Sequence, residues 1–197
     1  MQKKKTFKQY PIHQSPLFKL RTKEKLATLL GISVKTLLSL IDDNQYYSFQ
    51  RRGKTIIAPR DFLKSKQRRL HQLLSRIETP EWVQFGKKGH SYITNGKQHI
   101  KANFLKTMDV KSFYESTTEK FVFKFFYSTL EQSPDVAELC TKFVTHKGII
   151  PRGSPTSQLM AYWAYFQTFS RIHKLVLENG VDKMTLFVDD ISCSALS

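Results

Sequence analysis

The stretch Leu186-Phe187-Val188-Asp189-Asp190-Ile191 constrains this chain more than any other. An apolar run meets two adjacent carboxylates and turns apolar again at once. Successive side chains on a strand point to opposite faces, so two neighbouring Asp cannot share a face inside one. Asp is also disfavoured in strand interiors and favoured in turns. Together these rules predict a tight hairpin with both acids at its tip. Adjacent carboxylates raise one another's pKa unless a cation neutralises them. A hard divalent ion takes such oxygens and leaves positions for phosphate and water. In isolation an Asp-Asp pair is most often a solvated surface turn, so the rest of the chain has to decide.

The chain's 197 residues suffice for one sizeable domain, or a small one with a lobe, and 40% hydrophobic content supports a packed core. The formal net charge of +16 points to a polyanionic partner. That charge is uneven: residues 1–69 hold 17 Lys/Arg against 4 Asp/Glu, and residues 70–197 hold 15 against 12. A basic lobe therefore precedes a nearly balanced body that contains the carboxylates. Cys140 and Cys193 have neither metal-site spacing nor a disulfide framework, which suggests a reducing cytoplasm. No apolar run reaches the ~18 residues of a membrane span. The Lys3-Lys4-Lys5 start has no apolar segment after it and so does not read as a signal peptide.

In chain order, residues 1–21 read as a basic arm, loose at least to residue 15. Thr22 and Ser33 are placed to cap two helices, the first stopping near Gly31. This pair resembles the start of a helix-turn-helix, though an ordinary helical hairpin explains it better. Tyr46–Phe49 and Lys54–Ala58 read as strands joined by a turn at Arg51-Arg52-Gly53. A helix from Asp61 to about Ile77 carries Phe62, Leu63, Leu70, Leu73, Leu74 and Ile77 as its apolar stripe. Residues 80–100 read as irregular, with His99 a structural hydrogen-bonder. Phe104–Val110 reads as a strand whose apolar run carries Asp109, and an unpaired buried carboxylate is costly. Helices are expected near 118–130, 135–145 and 157–177, with a Gly/Pro loop before the last.

An Asp ending one apolar strand and an Asp pair at a hairpin tip could meet if the two strands are antiparallel neighbours. In two-metal phosphoryl transfer one ion activates the attacking hydroxyl and the other holds the leaving oxygens. That chemistry needs about three carboxylates, with basic surface nearby for nucleic acid. This chain has both.

Several stretches resemble the reverse transcriptases, and among them the retron-type bacterial enzymes. Met108-Asp109-Val110-Lys111-Ser112-Phe113-Tyr114 looks like the family's first catalytic motif, and Gly148-Ile149-Ile150-Pro151-Arg152-Gly153-Ser154-Pro155-Thr156-Ser157 like the second. Phe187-Val188-Asp189-Asp190 looks like the third, usually Tyr-x-Asp-Asp. Lys54–Pro59 with Leu63-Lys64 and Gln67-Arg68 is similar to the fingers segment, and Asn95 to His99 to an Asn-x-x-x-His stretch of the bacterial members. Each motif alone is weak; in this order over residues 22–197 the set is specific.

The resemblance implies an α+β fold: fingers and a partial palm of a right-hand polymerase, with antiparallel palm strands backed by helices. Residues 1–21 would be the arm, 22–103 the fingers lobe and 104–197 the partial palm. It implies an RNA-directed DNA polymerase with two Mg²⁺ ions as cofactor. Asp109, Asp189 and Asp190 would be catalytic, and these three with the Val110 carbonyl would ligate the metals. Tyr114 would reject the 2′-hydroxyl, and Arg152, Gly153, Lys54 and Lys64 would contact the nucleotide. Arg51, Arg52, Arg68 and Arg69 would hold nucleic acid. Partners would be an RNA template and primer (in a retron, a structured non-coding RNA), product DNA and deoxynucleoside triphosphates. An effector protein is a further candidate, in phage defence in the bacterial cytoplasm.

The departures are Arg152 where Gln is usual, Phe187 for Tyr, Gln158 for Pro and Lys54 for Arg. A Lys offers phosphate a point charge in place of a bidentate fork. The chain also stops at Ser197, where family members continue into a helical thumb. Feeble processive synthesis is expected of residues 1–197 alone. The alternatives are a non-catalytic nucleic-acid-binding module, either a helix-turn-helix or an inactive polymerase remnant, and another bacterial reverse transcriptase such as an intron maturase.

Overall fold

The structure, a computed structural model, describes residues 8–87 and 89–196. The Lys3-Lys4-Lys5 run and the rest of residues 1–7 lie outside the described part. Residues 8–21 are not loose: Leu17 and Leu20 are buried, and the Tyr10 N–H donates to the Arg76 carbonyl at 2.9 Å. Leu17 and Leu20, with Tyr10, Ile12 and Phe18 packed beside them, lay this segment on the core.

Helix α1 (Lys23–Leu30) starts where the Thr22 hydroxyl accepts from the Lys25 N–H, and ends at Gly31, whose φ of +66° suits a residue without Cβ. Lys66 and Arg69 donate to the Gly31 and Leu29 carbonyls, placing cations at the negative end of this helix. The Ser33 hydroxyl caps α2 (Val34–Ser39). Helix α1 packs against α2 and against two later helices, α3 (Asp61–Leu74) and α7 (Pro134–Val144), so the pair is a packed helical hairpin.

Strands β1 (Tyr46–Arg51) and β2 (Lys54–Pro59) pair antiparallel, with Tyr46 opposite Pro59 and Arg51 opposite Lys54. Their two-residue turn holds Arg52 at φ +51° and Gly53 at φ +71°, the geometry that matches strand twist. On α3 the buried stripe is Leu63, Gln67, Leu70, Leu73 and Leu74. Phe62, expected in that stripe, is 53% exposed with the Lys66 ammonium over its ring, and its place is taken by Gln67.

Gln67 is fully buried and fully used. Its amide nitrogen donates to the Tyr46 hydroxyl (3.0 Å) and the Phe143 carbonyl (2.8 Å), and its amide oxygen accepts from the Ser154 hydroxyl (2.7 Å). Ser154 reaches Thr156 in turn, so it organises the Gly/Pro loop internally.

Residues 80–100 are less irregular than predicted. Ser91 and Thr94 form a reciprocal capping box that starts α4 (Tyr92–Lys97), a pairing hidden by the nearby glycines. Strand β3 (Phe104–Asp109), α5 (Phe113–Ser116) and α6 (Glu119–Lys124) follow, then a π-helical turn at Phe125–Thr129 and helix α7. Helix α8 (Ser157–Glu178) buries Leu159, Met160, Tyr162, Trp163 and Phe169. The chain closes with β4 (Lys183–Phe187) and β5 (Asp190–Ala195).

The sheet has the order β3-β5-β4, all antiparallel. Residues Trp82 to Gln84 run along the outer edge of β4, with the Leu186 N–H donating to Trp82 and the Gln84 N–H to Leu186. Strand β4 packs on α8. Strand β3 does not conform to the expectation of helix-backed strands: every one of its residues is exposed, Phe104 at 65% and Leu105 at 59%. It is the edge strand of the sheet, exposed along its whole length. The architecture is α+β, and among the described residues no helix is long and apolar enough to cross a membrane.

Replacing Gln67 by Ala leaves the Tyr46 and Ser154 hydroxyls and the Phe143 carbonyl without their buried partner. A loss of about 3 kcal/mol is expected, read as a lower urea midpoint. Gln67→Glu should be no better, because it places a charge in the same interior.

Candidate active site

The β4–β5 turn is set by two residues, Val188 and Asp189. Val188 stands at φ +64°, a conformation that β-branched residues rarely adopt. A turn with positive φ at its first central position normally has Gly there. The turn is clamped from outside, since the Val110 N–H donates to the Asp189 carbonyl at 3.0 Å. The residue after Asp109 therefore holds the backbone of Asp189. The sheet register adds the third acid: Asp190, the first residue of β5, lies opposite Asp109, the last of β3. Paired residues in adjacent strands present their side chains on one face. The expected hairpin tip is thus divided, with Asp189 in the turn and Asp190 in the strand.

Asp109 and Asp190 are exposed and Asp189 is half-buried. Burial holds the Asp189 carboxyl above its ordinary range; the charges of Asp109 and Asp190 push the same way, and Arg152 opposes them. Among the described residues no group of three or more His, Cys, Asp or Glu is gathered tightly enough to hold a metal ion. The donor set nonetheless has the chemistry of a hard-cation site: carboxylate oxygens, mutual repulsion and open access to solvent.

Tyr114 follows on α5, which begins after Ser112 at φ +53°. Its phenol is half-buried, and burial first, then the Asp189 charge, push its pKa up. Arg152 donates from Nε to the Glu115 carboxylate, which lies below the usual carboxylate range because of that bond, with Lys54 adding to the effect. Lys54 of the β1–β2 hairpin therefore sits within electrostatic reach of the Glu115–Arg152 pair.

Gly153 links the same two regions by contact. Its N–H donates to the Ile57 carbonyl at 2.8 Å, and a Cβ built on it would stand 2.6 Å from that oxygen and 2.8 Å from the Ala58 Cβ. Only glycine lets the loop lie this close to β2. Of the other expected cations, Arg51 and Arg52 are exposed at the hairpin tip, Lys64 is half-buried and Arg68 exposed on α3. Arg69 is committed to the Leu29 carbonyl. None of Lys64, Arg68 and Arg69 is among the charges acting on Asp189, Tyr114 or Glu115.

Three residues escaped the sequence reading. Glu115, adjacent to Tyr114, anchors Arg152. Tyr47 and Phe49 are 44% and 39% exposed and stack on one another at 5.9 Å. Their signal was present in the alternation Tyr47-x-Phe49-x-Arg51, which puts all three on one strand face. Ala58 pairs with Tyr47, so this is the face that meets Gly153.

Asn95 and His99 are buried beside the sheet. The His99 ring bridges the Ser194 hydroxyl (Nδ1, 2.7 Å) and the Thr185 hydroxyl (Nε2, 2.8 Å), tying the end of α4 to β5 and β4. The expected structural role is the one observed.

No family model matches the chain. Over 87% of its length it is similar to the retron Se72 reverse transcriptase of Salmonella heidelberg (strain 579083-10), at 25% identity across 181 residues. Over the same share it is similar to the retron Ec86 reverse transcriptase of Escherichia coli, at 30% identity across 179 residues. The matches cover 48% and 55% of those proteins, so the chain spans about half the length of the curated relatives it matches.

Burial lowers the pKa of His99, with the Lys183 charge adding to the shift; burial also lowers those of His71, His146 and His173. The unfolded chain therefore binds protons near pH 6.5 that the folded chain refuses. Stability should be intact above that value and decline as pH falls through and below it. Thermal midpoints at pH 7.5 and pH 5.5 check this, and the decline should be smaller in His99→Gln.

Proposed function

We propose, from its kinship with retron reverse transcriptases over 87% of its length, that the chain is the carboxylate-bearing part of an RNA-directed DNA polymerase. The observation that most supports this is the register of the sheet: Asp109 faces Asp190, and Asp189 is bonded through its carbonyl to Val110. Residues 22–103 form the fingers lobe in this reading and residues 104–197 a partial palm. The template is an RNA, the product DNA and the substrates deoxynucleoside triphosphates.

Asp109, Asp189 and Asp190, with the Val110 carbonyl, are the groups that would hold two Mg²⁺ ions. When bound, these ions supply activation of the primer hydroxyl and neutralisation of the departing phosphate charge. The chain's own residues do the positioning. Tyr114 lies beside Asp189 and presents the bulk that discriminates against a 2′-hydroxyl. Arg152, held by Glu115, and Lys54 bring positive charge to the side where a triphosphate would lie. Gly153 keeps the loop pressed against β2, which fixes how far the hairpin stands from the carboxylates. Arg51, Arg52 and Arg68 offer exposed cations to a nucleic-acid backbone.

Primer extension on an RNA template with Mg²⁺ and deoxynucleotides tests the reading. Asp109→Asn and Asp189→Asn should each reduce incorporation by at least about a hundredfold, more than is typical for a residue that only supports a ligand. Incorporation untouched by both changes would refute it.

The carboxylates also make a stability prediction. A raised folded pKa means that ionised Asp189 opposes folding, a cost that grows as pH rises from the ordinary carboxylate range through the raised pKa and is fully present above it. Without divalent cation, Asp189→Asn should therefore melt higher than the parent chain. Mg²⁺ at about five times its Kd should stabilise the parent by about 1 kcal/mol and leave Asp189→Asn unmoved, as read by thermal melts with and without the ion.

A further inference from the structure

A second cleft lies away from the carboxylates. It has a volume of about 600 Å³ and sits between the 81–98 segment, the C-terminal half of α8 and the start of β4. Its lining includes Lys183, at the opposite end of β4 from the Asp189 turn. Four per-residue rises of strand separate Lys183 from Phe187, or roughly 13 Å.

One wall is aromatic. The Trp82 indole and the His173 imidazole stack at 4.9 Å between centroids with 17° between their planes. Burial lowers the His173 pKa, which favours the neutral ring. The Trp82 backbone is fixed, since its carbonyl accepts from the Leu186 N–H at 2.9 Å. The facing rim carries Gln98 and Lys183, whose ammonium lies 3.5 Å from the Gln98 amide oxygen. That contact leaves the Gln98 amide N–H groups and the remaining Lys183 donors available. Lys87, also in the lining, is turned to the Thr79 and Pro80 carbonyls. Glu81 and Asp182 balance the two lysines, so the cleft has no excess of positive charge for a phosphate.

A flat aromatic wall, donors and acceptors at the rim, near-neutral charge and this volume suit one ligand chemistry. We propose that the cleft receives an unpaired nucleobase, stacked against the Trp82–His173 pair and read at its edge by Gln98 and Lys183. Base–aromatic stacking tolerates any base, and the edge contacts add preference. The net charge of +16 draws in a polyanion, and this cleft then holds one of its bases apart from the carboxylates. The proposal does not depend on polymerase activity.

Trp82 is its own reporter, because Trp163, the other indole, is buried in the core. The full chain is titrated with the four ribonucleoside monophosphates, with a short single-stranded RNA and with the same strand made abasic. Indole emission should fall saturably. A response to the monophosphates identifies a free nucleotide as a sufficient ligand, and a response only to the base-bearing strand identifies an RNA base. Labelled-RNA anisotropy then reads affinity in the variants. His173→Ala and the exposed-site variant Gln98→Ala should each weaken binding about tenfold. Equal binding of intact and abasic strands, or full affinity in both Gln98→Ala and His173→Ala, would overturn the proposal whatever the primer-extension result.

Discussion

The burial of a single amide, Gln67, is the constraint on which most of this structure depends. A buried amide without partners is expensive, and this one meets the cost by bonding to three other segments at once: β1 through Tyr46, the end of α7 through Phe143, and the Gly/Pro loop through Ser154. Each is remote from α3 in sequence. Satisfying one side chain therefore fixes the loop relative to the β1–β2 hairpin. The Gly153 contact with Ile57 and Ala58 sets the remaining degree of freedom by close approach. Arg152 then has one side on which to stand, and it meets Glu115 there.

The carboxylate cluster has the opposite character. Its parts are held against their preferences: Val188 at positive φ, Ser112 likewise, and three acids close enough that two of them raise the pKa of Asp189. Strain and like-charge repulsion of this kind persist only where surrounding structure over-determines them. Here that structure is the β3–β5 ladder and the bond from Val110 to Asp189. The satisfied Gln67 node and the unsatisfied acids are complementary. The first supplies rigidity, and the second concentrates negative charge at one place.

Much of this was legible in the chain. Thr22, Ser33, Gly31 and the Arg52-Gly53 turn act through local chemistry, and each does what its residue type predicts. The antiparallel meeting of β3 with the Asp-Asp hairpin was also legible, because a carboxylate at the end of an apolar strand asks for company. Other features were not. The Ser91–Thr94 capping box was masked by glycines on both sides, so α4 was missed. Gln67 reads as one more polar residue on a basic helix, and only tertiary structure shows that it points inward. Assigning Phe62 to the buried stripe failed for a related reason: with apolar residues at both 62 and 63, the helix can bury only the one in phase with Leu70 and Leu74. The exposure of β3 could not be read at all, since its apolar sequence resembles a covered strand.

That exposure bears on what the cluster can accept. A small substrate is usually enclosed, with most of its surface buried in a cleft. Asp109 instead ends β3, an edge strand exposed along its whole length, and Asp190, opposite it, is the exposed first residue of the central strand β5. Behind them the core is continuous from α1 to β5. The hairpin face that meets Gly153 carries exposed aromatics and cations: Tyr47, Phe49, Arg51 and Lys54. Open acids together with a basic aromatic face suit a ligand that is long, anionic and built of flat rings, held along its length. This open placement of Asp109 and Asp190 supports the proposed polymeric substrate.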